Sequence, residues 1–370
     1  MDMSYYNPVT LVTGRGCVTK SGAIFQRAGR SCLIVTGKTA ARASGALDDV
    51  TAVLRAEGIT YAIFDAIEQN PSYASCLAAA MQAKAMGAEF IVGIGGGSPL
   101  DAAKAIAVLT ASSDTSAEAM YSGHWDAAPL PIIAVGTTAG TGSEVTPVAV
   151  ITSPEGMKKS LRAPSLYPLA ALGDATYTMS LSPAFTRSTA LDALAHALES
   201  YFNRTANDIS RLYAQRAIAL LLPMLARTAV AETEPLTIDE RETLYCASLY
   251  AGYAIAVTGT AFPHALGYFL SEQYGIPHGN ACAVYLPDFI THNASVAPEE
   301  AATLFSSLKT DTDALTALVK ANLPPIDVSL TEEKLRELAP RFEGNKSLLK
   351  CYGEVDRAFA EGLLQRLFVK

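Results

Sequence analysis

Between Cys32 and Val135 the chain alternates short apolar runs with helical stretches, and that rhythm constrains the fold more than any other feature. Cys32-Leu33-Ile34-Val35-Thr36 reads as a buried strand ending at Gly37, and residues 47–57 then carry helical spacing closed by Gly58. Residues 61–65 read as the next strand, 74–86 as the next helix, 90–94 as a third strand, 99–109 as a third helix and 131–135 as a fourth strand. Strand and helix in strict turn imply a parallel sheet covered by helices. Near-continuous apolar strands fit burial on both faces. The pattern changes near Ser182-Pro183. Beyond it, residues 187–201, 210–226, 239–256, 298–321 and 331–338 all show helical periodicity. The expected organisation is an α/β domain over 1–181 and an all-helical domain over 182–370, with a ligand cleft between them.

Composition narrows the function classes. Of 370 residues, half are apolar and 17% charged, which favours packed cores over disorder. A net charge of -8 gives no bulk attraction to nucleic acid or to anionic membranes. The first ten residues lack the basic and apolar regions of a signal peptide, and no uninterrupted apolar stretch reaches membrane-spanning length. The six cysteines are scattered without a CxxC pair, so they read as reduced thiols. The expectation is a cytoplasmic protein.

Two loops then suggest a phosphate-bearing ligand. Ile91-Val92-Gly93-Ile94-Gly95-Gly96-Gly97-Ser98-Pro99-Leu100-Asp101 runs from a strand through a glycine turn into a helix. Glycines let backbone approach a pyrophosphate, and a helix start offers free N–H groups with a positive dipole end. Ser98 can cap that helix and Pro99 fits its first turn. The run departs from GxGxxG because Ser98 stands where the last glycine belongs, and a tight turn without a ligand is also compatible with it. A second loop, Gly136-Thr137-Thr138-Ala139-Gly140-Thr141-Gly142-Ser143-Glu144, follows the fourth strand. Two polar glycine-rich loops at strand ends favour a dinucleotide over either loop alone.

The histidines suggest a metal. Asp192 and His196, four residues apart in a helical stretch, share one face. His264 and His278 would complete a set of one oxygen and three nitrogens. That set suits Fe²⁺ or Zn²⁺ better than Ca²⁺ or Mg²⁺. Spacing alone does not bring His264 and His278 to that helix, and a single histidine in an apolar stretch is more often a core residue. His124 and His292 have no ligand-like company and read as structural or surface residues.

In these residues the chain resembles the iron-containing (group III) alcohol dehydrogenases. The resemblance is carried by Asn70-Pro71, by Gly95 to Lys104, by Thr137 to Glu144, by Asp192-Ala193-Leu194-Ala195-His196-Ala197-Leu198-Glu199, and by His264 with Pro277-His278-Gly279. It runs over nearly the whole length and is weakest in about the last fifty residues. It implies a Rossmann-like dinucleotide-binding domain followed by an all-helical metal-binding domain, the dehydroquinate synthase-like architecture. It implies metal ligands at Asp192, His196, His264 and His278. It implies nucleotide contacts around Asn70, Gly95, Gly96, Gly97, Ser98, Asp101, Thr137, Thr138, Thr141, Ser143 and Lys159. The activity implied is hydride exchange between NAD(P) and a small alcohol, diol or aldehyde, in a homodimer or larger homo-oligomer.

The chain departs from many relatives at two positions. Many carry Asp where this chain has Gly37, and a carboxylate there would accept from the ribose hydroxyls of NAD and repel a 2′-phosphate. Gly37, with Lys38 or Arg42 beside it, therefore suggests NADP(H) in preference to NAD(H); a plain turn glycine serving both cofactors is the alternative. Tyr268 stands where many relatives have a further histidine, a candidate for proton relay, although an unperturbed phenol titrates near 10. As a catalytic group it competes with a simple cleft wall. Three other functions share some of these features: glycerol dehydrogenase-like polyol oxidation, a dehydroquinate synthase-like lyase, and a non-catalytic nucleotide-binding protein. The apolar segments around Ile255 and Phe262 disfavour the anionic substrate of the lyase, and the intact ligand set disfavours the non-catalytic reading.

Overall fold

The computed structural model describes residues 3–230 and 234–369. Its strands are β1 (Thr10–Thr13), β2 (Ser31–Thr36), β3 (Thr60–Phe64), β4 (Phe90–Gly95), β5 (Ile132–Gly136), β6 (Val148–Thr152), β7 (Lys158–Arg162) and β8 (Ala170–Gly173). Helices α1 (Gly22–Ala28), α2 (Ala40–Ala43), α3 (Ala46–Ala56), α4 (Tyr73–Met86), α5 (Gly97–Ala111) and α6 (Ala117–Tyr121) lie among them. Six strands form one parallel sheet in the order β1-β8-β5-β4-β2-β3, and β6 with β7 forms an antiparallel hairpin. The sheet's faces explain its apolar runs. Leu33, Val35 and Ile91 join one core cluster with α4 and α5, while Cys32, Ile34 and Val92 join a second with α3. Alternate residues of a strand point to opposite faces, so a sheet packed on both sides must be apolar throughout.

Helices follow: α7 (Pro183–Tyr201), α8 (Asp208–Val230), α9 (Ile238–Thr258), α10 (Phe262–Gln273), α11 (His278–Ala283), α12 (Leu286–Val296), α13 (Pro298–Leu308), α14 (Thr312–Asn322), α15 (Glu332–Leu338) and α16 (Arg357–Phe368). The single helix expected over 298–321 is two helices. Lys309 closes the first in a left-handed conformation, φ 54°, and Asp311 caps the next by accepting from the Ala314 N–H. None of the helices among the described residues is long and apolar enough to cross a membrane.

The chain divides into two compact units. One comprises Tyr6–Ser182 with Leu236–Gly252; the other comprises Pro183–Pro235 and Tyr253–Lys370 with Met1–Tyr5. Most of the α9 sequence therefore groups with the strands, although the sequence pattern placed all of it among the helices. The reason is visible inside the strand-bearing unit. Arg15 pairs with Asp239 and Glu242 at 2.7 and 2.6 Å. Arg241 donates to the Leu181 carbonyl at 3.1 Å, and the Tyr245 hydroxyl donates to Glu144 at 3.0 Å. Gly142, with φ +60°, admits the closest approach: a Cβ there would stand 2.6 Å from the Gly252 Cα.

Candidate metal centre and nucleotide loops

The strand-bearing unit brings the two glycine loops together. β4 runs through Gly95, α5 starts at Gly97, and only Gly96 lies between. The Thr137 N–H donates to the Gly95 carbonyl at 2.9 Å. A Cβ on Gly97 would meet the Thr141 methyl at 2.8 Å, and one on Gly96 would meet Thr138 at 3.0 Å. The glycines are thus demanded by the neighbouring loop whether or not a ligand is bound. Ser98 does not cap α5 as the sequence suggested. The cap position is Gly96, and Ser98, already helical, accepts from the Asn70 N–H at 3.2 Å. Asn70 itself has φ 58°, a left-handed conformation that asparagine tolerates.

Other polar groups of this region are engaged within the protein. Asp101 accepts from the Ser143 hydroxyl at 2.6 Å and from the Val150 N–H at 2.8 Å. Buried Lys104 donates to the Ser143 carbonyl and hydroxyl at 2.8 and 2.7 Å and to the Val148 carbonyl at 2.6 Å. Burial pulls its amine down to about 8 against the opposing pull of Asp101 and Glu144. Asp101, Ser143 and Lys104 therefore hold the second loop on α5. Thr137 is buried with an unbonded hydroxyl, while Thr138 and Thr141 are partly exposed. Lys159 lies on the β6–β7 hairpin, where Glu155 holds its amine at 3.2 Å. Gly37 follows β2, and a Cβ there would meet only the Ile67 carbonyl, at 3.2 Å. Lys38 beside it is exposed, and Arg42 pairs with Asp65 at 3.4 Å.

The helical unit carries the second site. Asp192 and His196 lie one turn apart on α7, His264 in the first turn of α10, and His278 at the start of α11. Glycine lets these helices meet. A Cβ on Gly279 would run into the Ser188 carbonyl of α7, and one on Gly267 would stand 2.8 Å from the Ala281 carbonyl of α11. Asp192, His264, His278 and Cys282 each offer a donor atom, all within 4.8 Å of one another. His196 lies alongside, its ring stacked on His264 with centroids 4.4 Å apart. Three of the four residues expected from the sequence thus form a tight group, with His196 against it and Cys282 inside it.

Glu199, wholly buried one turn beyond His196, orders the group. One carboxylate oxygen accepts from the His264 backbone N–H at 2.9 Å, and the other meets His264 Nδ1 at 2.6 Å. The first contact caps α10 with negative charge, where its free N–H groups lie. The second places the imidazole proton on Nδ1 and leaves the Nε2 lone pair facing Asp192, 3.5 Å away. His264 Nε2 and Asp192 Oδ1 are buried without a hydrogen-bond partner. Two orphaned electron-pair donors in one buried spot are costly alone and are satisfied by a cation. The electrostatics agree. Burial disfavours the Asp192 carboxylate, yet His196, His278 and His264 hold it well below the usual carboxylate range. Burial likewise opposes charge on His264, yet Cys282, Glu199 and Asp192 raise it well above the usual imidazole value. The surroundings favour positive charge at this point, so the residues present fit a divalent metal ion.

Sequence reasoning gave no role to Glu199 or Cys282. For Cys282 the signal was present, because His278 and Cys282 are four residues apart, the spacing that singled out Asp192 and His196. Tyr268 is half-buried on α10 and stacks on His278, with ring centroids 5.9 Å apart and planes at 12°. His292 is structural as expected, its Nε2 meeting the Tyr352 carbonyl at 2.8 Å.

Comparison with known proteins agrees with this arrangement. Residues 8–175 match the family "Iron-containing alcohol dehydrogenase", and residues 186–350 match "Fe-containing alcohol dehydrogenase family, C-terminal". The chain is 34% identical over 316 residues to the probable alcohol dehydrogenase EutG of Escherichia coli (strain K12), covering 84% of this chain and 79% of that protein. It is 36% identical over 276 residues to the 1,3-propanediol dehydrogenase of Klebsiella pneumoniae, covering 74% and 70%. The crystal structure of sulfoacetaldehyde reductase from Bifidobacterium kashiwanohense in complex with NAD+ superposes with a TM-score of 0.89 at 28% identity, covering 99% of each chain. The chain belongs to the iron-containing alcohol dehydrogenase family, and it is a metal-dependent oxidoreductase that uses a nicotinamide cofactor.

Proposed function

We propose that this dehydrogenase interconverts small primary alcohols or diols with their aldehydes and uses NADP(H) in preference to NAD(H). The reaction rests above all on the buried group in which Asp192 Oδ1 and His264 Nε2 lack partners. In this reading Asp192, His196, His264 and His278 hold a divalent ion, Fe²⁺ or Zn²⁺. The ion supplies Lewis-acid stabilisation of charge on the substrate oxygen, and the nicotinamide supplies the redox chemistry. The chain's own groups supply position. Glu199 fixes the His264 ring, so that its Nε2 is always the outward donor. Tyr268, whose ring stacks on His278, is in this reading the group that passes the alcohol proton outward, a role supported by that proximity. Gly95, Gly96 and Gly97, with Thr137, Thr138 and Thr141, offer backbone and hydroxyl groups to the pyrophosphate.

The small substrate is supported by the 1,3-propanediol dehydrogenase relative and by a 34% identical 1-propanol dehydrogenase. The NADP(H) preference is supported by Gly37. No carboxylate stands there to meet a 2′-phosphate, and the exposed Lys38 amine is adjacent. The test compares kcat/KM for NADPH and NADH in the metal-loaded enzyme with propanal. A higher value for NADPH is expected, and a clear NADH preference overturns the cofactor reading. Introducing Gly37→Asp is expected to reverse the preference.

A further inference from the structure

We propose that Cys282 is itself a metal ligand, its thiolate joining the Asp192, His196, His264 and His278 donors at the ion. The inference rests on the metal reading above and adds a donor of a different chemical kind. Cys282 lies on α11 one turn after His278, so the two side chains leave the same face of the helix. Its sulfur is 3.7 and 3.9 Å from the two ring nitrogens of His278, and it is fully buried. It belongs to the one tight donor group found among the described residues, in which every donor atom lies within 4.8 Å of every other. Donors about 2.0–2.3 Å from a common ion are separated by distances of this order. The unpartnered Asp192 Oδ1 and His264 Nε2 independently mark where an ion belongs.

A sulfur donor changes what the site is. On binding, the ion displaces the thiol proton, which leaves to solvent, as metal binding to cysteine requires. One carboxylate and one thiolate then neutralise a divalent ion, where the carboxylate alone leaves a formal charge of +1. The neutral centre withdraws less charge from a substrate oxygen. It also selects differently, because thiolate favours Zn²⁺ and Co²⁺ over ions that prefer oxygen, such as Mn²⁺ and Mg²⁺.

Co²⁺ provides the test, because thiolate coordination to it gives an intense near-ultraviolet charge-transfer band. The full chain is stripped with a chelator and loaded with Co²⁺ alone, alongside Cys282→Ala and, as a control for the exposed thiol, Cys246→Ala. The expected result is a charge-transfer band in the wild type and in Cys246→Ala. In Cys282→Ala the band is lost while the visible cobalt spectrum shows the metal still bound. Bound cobalt without that band in the wild type overturns the thiolate assignment and leaves the metal reading standing. A band that persists in Cys282→Ala overturns it too, by assigning the sulfur elsewhere. No cobalt binding in the wild type overturns both. If Cys282→Ala does not fold, X-ray absorption on the Zn²⁺-loaded wild type decides instead. A sulfur scatterer at about 2.3 Å supports the proposal, and a shell of only nitrogen and oxygen at about 2.0–2.2 Å overturns it.

Discussion

The two candidate sites of this enzyme are built by opposite means. The nucleotide loops are made by leaving side chains out. Gly96 and Gly97 sit where a single Cβ would strike Thr138 and Thr141, and the polar side chains nearby, Asp101, Ser143 and Lys104, are occupied with one another. The candidate metal centre is made by bringing side chains in. Donors from α7, α10 and α11 converge in a buried spot, and Glu199 fixes one of them from behind. The first site is local in sequence and shaped by backbone; the second is assembled from residues nearly a hundred positions apart and shaped by charge. Damage to one should therefore leave the other intact.

The largest separation is expected at Asp192. Asp192→Asn removes the only carboxylate of the tight donor group and its opposition to the surrounding imidazoles. Metal content is expected to fall to a trace, and turnover to fall on the order of 10³-fold, the scale at which groups that stabilise developing charge act. Equilibrium binding of the nicotinamide cofactor should stay within error of the wild type. Parallel loss of cofactor binding would break the comparison, because it would make the two sites one cooperative unit. Glu199→Gln is milder. It keeps the shape but weakens the hold on His264 Nδ1, and metal affinity is expected to drop about 10–100-fold, the range typical of groups that orient a ligand. Competition with a chelator of known affinity measures it, and an unchanged affinity would show that α10 alone orients His264.

The same contrast decided what could be read from the sequence. Parallel strands β2, β4 and β5 stand out because burial on both faces makes each an unbroken apolar run, while the edge strand β3 shows a shorter run of half-buried residues. Strands β1 and β8, four residues each, are too short to show a period. The β6–β7 hairpin is hidden by Lys158, Lys159 and Ser160 on its exposed strand. The break at Lys309 gave no warning, since it is a left-handed residue that is neither Gly nor Asn. Asp192 and His196 are visible because one helix turn relates them. His264, His278 and Cys282 are related to that turn by the packing of α10 and α11 on α7, which no local pattern encodes. Glu199 could be quoted as part of a motif, but its bond to a residue 65 positions away could not.

Gly97→Ala probes the comparison from the other side. Its Cβ would stand 2.8 Å from the Thr141 methyl, a β-branched side chain with little freedom to retreat. Overpacking of this kind costs about 1–3 kcal/mol. The expected outcome is a KM for the nicotinamide cofactor raised on the order of tenfold, with metal content unchanged. The double variant Gly97→Ala/Thr141→Ser removes the clashing methyl and should recover most of the loss. If it does not, the alanine interferes with the cofactor itself rather than with the neighbouring loop.

The smallest effect expected is on alkaline stability, where the two units can be compared without their ligands. Burial pushes the Cys17 and Cys32 thiols of the strand-bearing unit up to about 11 and about 12, and Cys351 of the helical unit up to about 12. The folded protein then keeps protons that an unfolded chain releases near the ordinary thiol value. Their contribution is fully present below that value and is lost as pH rises toward 11–12. Lys104 opposes this trend, because its lowered value makes the folded state release a proton first, between about 8 and the ordinary lysine range. Three thiols outweigh one amine, so the melting temperature should fall between pH 9 and 11. Cys32→Val should flatten that fall only in a transition belonging to the strand-bearing unit. If the whole molecule melts in one step and Cys32→Val flattens all of it, the two regions share a single stability and differ only in how their sites are made.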